Sequence, residues 1–476
     1  MTDDLSLALA GDAILTRRLS ALDSPRLHAT LARLRDADAT VANLEVLPIE
    51  EDAGTPGAHS GGTYMRAPPW VLDELEWAGV DLFAASTNHA GDFSHDGMRA
   101  AMDELAAREL PFAGLGRTLA HARQPAYVDT PGGRVALVAA CSTITSGTVA
   151  GAQRPDFGGR PGIAPLRLET SYVVPEAAHE RVRDLSERLG LEAVKERRAD
   201  LGFPVPGETD VGFSLLNVGE KSHLSFEVGE EYGIQRRAKE ADRRAVLDQI
   251  RAASRQADWV VASLHAHEGR DGGMNDRTVP EFLESFARDC VDAGADAFLG
   301  HGPHLLRGIE VYDGAPVFYS LGDFAMQNET VGRLPADIYE RYDLDPNTAE
   351  PADLYDTRVH RTADEADGTA EDDTEVATAH AAEPEPRERI GFLADDGFWE
   401  GVVPVCRFDG ELVAVELHPL DLGAEEPRPG RGWPHAAEGE LAVRILEGVA
   451  ELSVPYGTEI DVEERDTGTV GVVALD

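Results

Sequence analysis

Short apolar runs alternate with helix-period segments through most of this 476-residue chain. Leu5–Ala10, Ala39–Val46 and Asp81–Ser86 are apolar runs of strand length, and segments with a helical period separate them. The same alternation gives later strands at Val135–Cys141, Trp259–Leu264, Ala297–Gly300 and Val317–Ser320. Strands of this kind are buried beneath helices, so the sequence predicts a layered α/β fold.

Two segments interrupt the alternation within what we predict to be a single domain over residues 1–476. Residues from about 170 to 235 combine a charged helical pattern with a stretch containing Gly and Pro, and are interpreted as an insertion. From about 335 to 390 the chain is rich in Asp, Glu, Ala and Thr with few aromatic residues, which is typical of a disordered acidic loop. Residues 396–476 return to strands and a helix that close the domain.

The charge balance restricts the possible partners. The net charge is −44, and only three of the 43 basic residues are lysine. Such a surface repels nucleic-acid phosphates and anionic lipid headgroups, so neither is an expected partner. With 42% apolar residues the chain can still fold, and we predict a halophilic protein in which molar salt, with a Debye length of about 3 Å, screens self-repulsion. The polar N-terminus lacks the features of a leader and no apolar run is long enough to span a membrane, which predicts a cytoplasmic location.

Polar residues recur where apolar strands end, which is where open α/β sheets form their ligand crevices. Carboxylate, amide and imidazole groups together suit Mn, Fe or Zn, and can bind one ion or bridge two. The sequence therefore predicts a divalent metal site at these strand ends. The residues found there are Asp12, Asn43, Glu45, Asn88, His89, Asp92, His265, His267, Glu268, His301 and His304.

Each of these positions also has a structural interpretation. Asp12 alone is more often the N-cap of a following helix, and Asn88–His89 can equally be a cap and a hydrogen-bonded histidine. His265–Glu268 places two imidazoles on one side of an extended chain, where they can also pair within a core. His301–His304 is more specific, because Gly and Pro between the histidines force a tight loop. Asp323 is as well explained by a structural role.

A series of short motifs runs from the first strand to the closing strands. In order these are ALAGDAIL, VANLEVLP, ASTNHAGDFSHDGM, GRPGIAPLR, VVASLHAHEG, GADAFLGHGPHLLRGIEVYDGAPVFYSLGDF and PVCRFDGELVAVELHPL. The series resembles that of the CapA (poly-γ-glutamate capsule synthesis) family of the calcineurin-like metallophosphatase superfamily, over most of residues 5–330 and again around 399–422. The resemblance implies a four-layer αββα metallophosphatase-like sandwich with mixed sheets.

The resemblance also implies a site. The implied metal ligands are Asp12, Glu45, Asn88, His265, His301 and His304, and the implied catalytic residues are His89, Asp92, His267 and Glu268. The chain has Ile14 where the superfamily's first motif usually has a histidine, and Asn43-Leu44-Glu45 where its second motif usually has a Gly-Asp pair, so the resemblance leaves open two ions, one ion or none.

Two functions follow from the resemblance. The first is a metal-dependent hydrolase acting on a phosphoester or on a peptide or γ-glutamyl amide. The alternative is a non-catalytic subunit of a poly-γ-glutamate (capsule) synthesis complex, whose partners would be the polymer or a synthase.

Overall fold

The computed structural model describes residues 4–205, 212–217, 222–361 and 388–475, and two mixed β-sheets dominate it. In the first sheet the strand Asp4–Ile14 is flanked by Ala39–Leu44 in parallel and by Glu400–Asp409 in antiparallel orientation. The short strand Asp323–Met326 runs parallel to the last residues of Asp4–Ile14. The other strands of this sheet are Leu82–Ala84, Phe112–Ala113, Leu412–Asp421, His435–Ala436, Ile460–Arg465 and Gly468–Val473.

The second sheet has six strands and a parallel centre. Trp259–His265 lies between Gly133–Cys141 and Ala297–His301, and the three strands run in the same direction. Their carboxyl ends therefore meet at one edge of the sheet. The outer strands are Ala126–Thr130, Ile309–Tyr312 and Ala315–Phe318.

The two sheets pack face to face because side chains alternate along each strand. Leu7 and Leu9 of the first sheet share a buried core with Leu137 and Val261 of the second. The intervening Ala8 belongs to a different core, on the outer face of the first sheet. Burial of each leucine or valine side chain stabilises the sandwich by roughly 1.5–3 kcal/mol.

Helices cover the outer face of each sheet. Pro25–Arg35 and Trp70–Ala78 contribute to the core on the first sheet, and Glu240–Ala253 and Glu281–Asp292 to the core on the second. Ser24 begins the first of these helices by accepting a backbone hydrogen bond. The order helix, sheet, sheet, helix confirms the predicted four-layer αββα sandwich with mixed sheets.

Further helices and short strands complete the sandwich. The helices are Ser94–Ala107, Leu119–Ala122 and Gly439–Ser453, and the paired short strands are Leu47–Pro48 with Arg66–Ala67, Leu115–Gly116 with Gly162–Ile163, and His360–Arg361 with Glu388–Arg389. Within the described ranges no helix combines the length and apolarity needed to cross a bilayer. The cytoplasmic location stays a prediction.

The segment interpreted as an insertion forms a small sheet of its own. Leu168–Val174 pairs with Ser222–Val228 on one side and with Gly233–Ala238 on the other. The strand Gly212–Asn217 and the helices Glu176–Arg188 and Leu191–Asp200 complete this unit. None of these strands joins either main sheet.

The acidic stretch 335–390 differs in part from the predicted disordered loop. Its first part contains the helices Ala336–Arg341 and Pro351–Val359. Ile338, Tyr339 and Leu354 bury their side chains in a small apolar core, which the average composition of the stretch conceals. Residues 362–387, on which most of the loop prediction falls, lie outside the described residues.

Candidate metal centre

Three neighbouring strands of the first sheet bring polar groups side by side. Asp12 is in register with Asn43 on one side and with Asp323 on the other. Gly11 and Gly322 allow the close approach, because a Cβ atom on Gly11 would lie 1.9 Å from the Gly322 carbonyl oxygen. Asn43 Nδ2 donates to Asp12 Oδ1 at 2.6 Å, which fixes the Asp12 carboxylate in the row.

The second sheet supplies imidazoles to the same place. His265 and His301 are in register on adjacent parallel strands, and their Nδ1 atoms are 2.9 Å apart. Gly302, with φ of +116°, then turns the chain, and its N–H donates to Asp12 Oδ2 at 2.8 Å. His304 adopts a φ of +58°, which is uncommon for a residue with a Cβ atom and is characteristic of functional sites.

Asp12 lies where the two sheets meet. Its Oδ1 is 3.7 Å from His265 Nδ1 and 3.6 Å from His301 Nδ1, and its Oδ2 is 3.6 Å from His304 Nδ1. All four side chains are buried. Asp12, His265 and His301 are close enough together to bind one metal ion.

Glu45 is the centre of a second group. Its Oε1 is 3.9 Å from His304 Nε2, and Glu45, His267 and His304 form another triad able to hold an ion. Asp12, Glu45, His304 and Asp323 form a third group that overlaps the other two. His267, predicted as catalytic, thus lies among the possible ligands. Because the groups share members, the cluster can accommodate one ion or two.

Several buried oxygen atoms of the cluster lack a hydrogen-bond partner within the described part of the chain, which bears on whether a cation fits there. Both carboxylate oxygens of Glu45, together with Asn43 Oδ1 and Asp323 Oδ2, have no hydrogen-bond partner among the described residues, although all three side chains are buried. A buried acceptor left in this way costs about 1–3 kcal/mol, and a charged one costs more. Oxygen and imidazole nitrogen ligands suit Mn, Fe and Zn. The residues present therefore fit a divalent cation.

Burial determines the protonation states in the cluster. It raises the pKa of Asp12 to about 6 and the pKa of Glu45 well above its ordinary value. It lowers the pKa of His265 and His267 well below the ordinary value and the pKa of His301 to about 3. These three imidazoles are neutral near pH 7, which is the form that offers a lone pair to a metal ion.

His304 behaves differently from the other imidazoles. Burial opposes its protonation, but the carboxylates of Asp323 and Asp12 outweigh burial, and the pKa of His304 is raised. His304 Nδ1 lies 2.9 Å from Asp323 Oδ1. A carboxylate in this position fixes the orientation of the imidazole ring. The other ring nitrogen of His304, Nε2, then faces Glu45.

Asn88 and His89 approach the cluster from the loop after the strand Leu82–Ala84. Asn88 Oδ1 lies 2.9 Å from His265 Nε2. His89 Nε2 lies 3.9 Å from Glu45 Oε1. Both residues are buried and in reach of the cluster, although His89 does not belong to the groups of His, Asp and Glu side chains that converge most closely among the described residues.

Asp92 and Glu268, both predicted as catalytic, lie further from the centre of the cluster. Asp92 Oδ2 is 2.7 Å from His89 Nδ1, and its two oxygens also accept backbone N–H groups at 2.9 and 2.8 Å. Glu268 Oε2 accepts from the hydroxyls of Ser142 at 2.8 Å and Thr143 at 3.0 Å. Their carboxylates are thus satisfied by other partners, in contrast to Glu45.

Asp323 and Asn43 belong to the cluster but were not among the predicted ligands. Asp323 begins its strand, so a search confined to the carboxyl ends of strands does not select it. Asn43 was noted at the end of its strand, and only its register with Asp12 reveals its place in the row. The available signal was the Gly322-Asp323 pair after the strand Ala315–Phe318.

A cavity of about 250 Å³ gives access to the cluster. His89, His267 and His304 line it together with Asn328 and Arg358. Its volume suits one end of a small molecule or of a polymer. The cluster is thus buried but can be reached by a ligand.

Comparison with known proteins places these residues in a family context. Residues 6–328 match the family model described as Bacterial capsule synthesis protein PGA_cap. The uncharacterized protein y4sH of Sinorhizobium fredii (strain NBRC 101917 / NGR234) is 32% identical over 478 residues, which cover 100% of this chain and 94% of that protein.

Two further relatives match over shorter segments. The PGA biosynthesis protein CapA of Bacillus subtilis (strain 168) is 43% identical over 84 residues, 18% of this chain and 21% of that protein. The "Probable polyglutamine synthesis accessory protein" of Mycobacterium tuberculosis (strain ATCC 25618 / H37Rv) is 36% identical over 87 residues, 18% of this chain and 22% of that protein.

Proposed function

The chain belongs to the bacterial capsule synthesis protein (PGA_cap) family, and from this premise we propose that it is a metal-dependent hydrolase. The proposed substrate is a phosphoester or a peptide or γ-glutamyl amide. The observation that carries the proposal is Glu45, whose fully buried carboxylate has no hydrogen-bond partner among the described residues and lies among imidazoles. A site of this kind is costly for a protein that does not bind a cation.

The proposed ligands are Asp12, Glu45, His265, His267, His301, His304 and Asp323, which belong to the three overlapping groups. Their oxygen and imidazole donors suit Mn, Fe or Zn, as one ion or two. A bound divalent ion would supply Lewis acidity towards a phosphoryl or carbonyl oxygen and towards an attacking water molecule. The neutral imidazoles of His265, His267 and His301 offer lone pairs to a cation, whereas the cation must compete with protons at Glu45 and His304, whose pKa values are raised.

His89 is the proposed general acid. Asp92 holds His89 through Nδ1 at 2.7 Å, and two backbone N–H groups fix Asp92 in turn. His89 Nε2 remains on the side of Glu45, and His89 lines the cavity that leads to the cluster. In this position Nε2 can donate a proton to a leaving group, while Asp92 stabilises the charged imidazole. Glu268 and Asn88 are proposed to position the surrounding groups.

The alternative function is that of a non-catalytic subunit in poly-γ-glutamate synthesis. It is favoured by the names of the shorter-matching relatives, a PGA biosynthesis protein and a polyglutamine synthesis accessory protein. The net charge of −44 weighs against close binding of a polyanion, unless high salt screens the repulsion.

Metal analysis combined with an activity screen tests the proposal. Protein purified without chelator should contain a stoichiometric transition metal, and Glu45→Gln should remove most of it. His418→Ala is a matched control, because His418 is a buried histidine outside the cluster, and its metal content should be unchanged. The metal-loaded protein should hydrolyse members of a phosphoester and γ-glutamyl-amide panel. A metal-loaded protein that hydrolyses none of them but binds a synthase would favour the subunit.

A further inference from the structure

A second, larger cavity adjoins the one that leads to the metal centre. Its volume is about 560 Å³, compared with about 250 Å³ for the first. Both cavities are lined by Met274, Asn275, Asn328, Arg358 and Phe392. The two cavities therefore adjoin at these five residues.

Aromatic side chains form much of the wall of the second cavity. Tyr342, Tyr355, Phe392, Phe398 and Trp399 all line it. The Tyr355 hydroxyl donates to a backbone carbonyl at 3.0 Å, and Trp399 Nε1 donates to the Phe392 carbonyl at 2.7 Å. Tyr355 and Trp399 are only 3% and 2% exposed, and arginine guanidinium groups lie over both rings. The ring surface that a ligand can reach is therefore mainly that of Phe392 and Phe398.

Phe392 connects this wall to the metal centre. Its ring packs edge to face with His304, with centroids 5.5 Å apart, and with Phe398, with centroids 4.8 Å apart. Phe392 and Phe398 are both only half-buried. A planar group that extends from the metal centre would meet these two rings first, and offset or edge-to-face packing on them is favourable.

Several polar side chains interrupt the apolar wall, among them Asn328, Glu329 and Arg358. Asn328 and Glu329 are only 7% and 9% exposed, yet Asn328 Oδ1 and Glu329 Oε1 have no hydrogen-bond partner among the described residues. Glu329 Oε2 lies 3.5 Å from Arg431 Nη1, so its charge is balanced. Arg358 donates to Thr63 Oγ1 and lines both cavities. The junction of the cavities thus offers an unused acceptor at Asn328 next to the cationic Arg358.

Most of the second cavity lies outside the part of the chain that matches the family. The family match ends at residue 328, and the lining residues within it are Met274, Asn275 and Asn328, whereas the others lie between residues 329 and 399. The metal-centre residues all lie within the match. The chemistry of the centre and the shape of the adjoining cavity are therefore encoded in different segments.

We propose that the second cavity is a specificity subsite for the apolar, aryl-sized amine side of an amide substrate. This inference rests on the proposed hydrolase function and selects the amide from its substrate classes. The amide N–H would donate to Asn328 Oδ1, and an oxygen of the acyl side would accept from Arg358. Hydrolysis breaks the C–N bond, the oxygen of water forms the new C–O bond, and a proton passes to the leaving amine. A run of γ-glutamyl residues does not fit, because its carboxylates would lose hydration against aromatic walls.

Binding and turnover of matched probes test the subsite. The probes are γ-L-glutamyl-2-naphthylamide, γ-L-glutamylmethylamide, which lacks the aryl group, and tri-γ-L-glutamate. The naphthylamide should bind the chelator-treated full chain about ten- to a hundredfold more tightly than the methylamide, as expected for burial of one aromatic group. The metal-loaded protein should show the same preference in kcat/KM.

Two exposed positions on one helix supply a matched pair of variants. Thr357→Trp introduces a bulky ring at a residue that lines the second cavity, whereas Ala352→Trp introduces it at an exposed position that does not. Thr357→Trp should abolish the preference for the naphthylamide and leave methylamide turnover unchanged, and Ala352→Trp should leave both unchanged. Phe398→Leu, which removes one ring face, should reduce the preference without blocking the cavity.

The possible outcomes separate the subsite from the hydrolase function. Naphthylamide binding that Thr357→Trp removes, in a metal-loaded protein that hydrolyses neither these amides nor the phosphoester panel, would support ring binding in the second cavity and overturn the hydrolase. Turnover of both amides with no preference, tighter binding of tri-γ-L-glutamate, or insensitivity to both Thr357→Trp and Phe398→Leu would overturn the subsite and leave the hydrolase intact.

Discussion

Replacement of Glu45 by glutamine should stabilise the protein without a divalent ion and destabilise it with one. The Glu45 side chain is fully buried, and neither of its carboxylate oxygens has a hydrogen-bond partner among the described residues. Above its pKa, the metal-free protein must hold this charge without compensation, whereas glutamine has the same shape and no charge. A bound cation reverses the balance, because the carboxylate then has a partner that glutamine attracts only weakly.

The pH dependence gives the size of the effect. Burial raises the pKa of Glu45 well above its ordinary value of 4.5, so the metal-free folded protein retains a proton that the unfolded chain releases. The stability is therefore fully present below pH 4.5 and falls as the pH rises towards the raised pKa, by up to about 1.4 kcal/mol per pH unit. Glutamine does not titrate. The unfolding free energy of metal-free Glu45→Gln should therefore increase relative to that of the wild type by the same amount per pH unit.

The imidazoles of the cluster do not obscure the comparison. The lowered pKa values of His265, His267 and His301 give stability that rises with pH up to about 6.5, the opposite sign, and to a first approximation these contributions cancel in the difference. Asp12 and Asp323 titrate together with Glu45, because their charges help to raise its pKa, so the slope belongs to the three carboxyls as a group. Glu74→Gln is a matched control, because Glu74 is also buried but accepts hydrogen bonds from Arg18 and Ser20, and its replacement should destabilise the protein with or without metal.

Urea unfolding at constant KCl, followed by circular dichroism between pH 4.5 and 8, measures these differences. Mn²⁺ or Zn²⁺ at a hundred times its Kd should add about 2.7 kcal/mol to the unfolding free energy of the wild type and much less to that of Glu45→Gln. The reasoning is refuted if the chelator-treated variant is less stable than the wild type at pH 8. Equal stabilisation of both proteins by the ion would show that Glu45 is not a ligand.

Three further outcomes are expected. The double variant His301→Ala, His304→Ala should lose its metal with its circular dichroism spectrum unchanged, and a variant that is destabilised but keeps its metal would contradict the ligand assignment. His89→Gln should lower kcat by about 10²- to 10⁴-fold at unchanged metal content; an unchanged rate would exclude His89 as the general acid. The melting temperature should climb steeply with KCl because the net charge is −44, and a flat profile would contradict the halophilic character.

The sequence predicted the layers of the fold because its hydrophobic periods are regular. Leu5–Ala10 and Trp259–Leu264 are continuous apolar runs, and both are central strands that are buried on two faces. The same logic selected Asp12 and His301 as strand-end residues, and the structure brings their side chains to within 3.6 Å of each other. Parallel strands with shared polarity make such a convergence predictable from positions alone.

What the sequence could not predict depends on contacts between distant segments. Asp323 joins the cluster because a short strand pairs with the end of the first strand, and nothing local to Asp323 encodes that pairing. Asp92 and Glu268 follow strands like the other candidates, yet backbone N–H groups or hydroxyls occupy their oxygens. Whether a carboxylate is satisfied or left free is a property of its surroundings and not of its place in the sequence.

The division between the metal centre and the second cavity has a physical origin. Asp12, His265 and His301 lie on central strands of two packed sheets, where a shift of one residue would move each side chain to the opposite face, so their geometry is strongly constrained. The second cavity is formed mainly by residues 342–359 and 390–399, which include short helices and turns outside the two main sheets. Val359 and Trp399 belong to the core on the first sheet, but substitutions at exposed positions of the wall change the shape of the cavity at little cost to the sandwich. Relatives that share Asp12, Glu45 and the histidines can therefore share the chemistry of the metal centre and still bind different ligands. We expect the residues that determine the ligand to lie after residue 328.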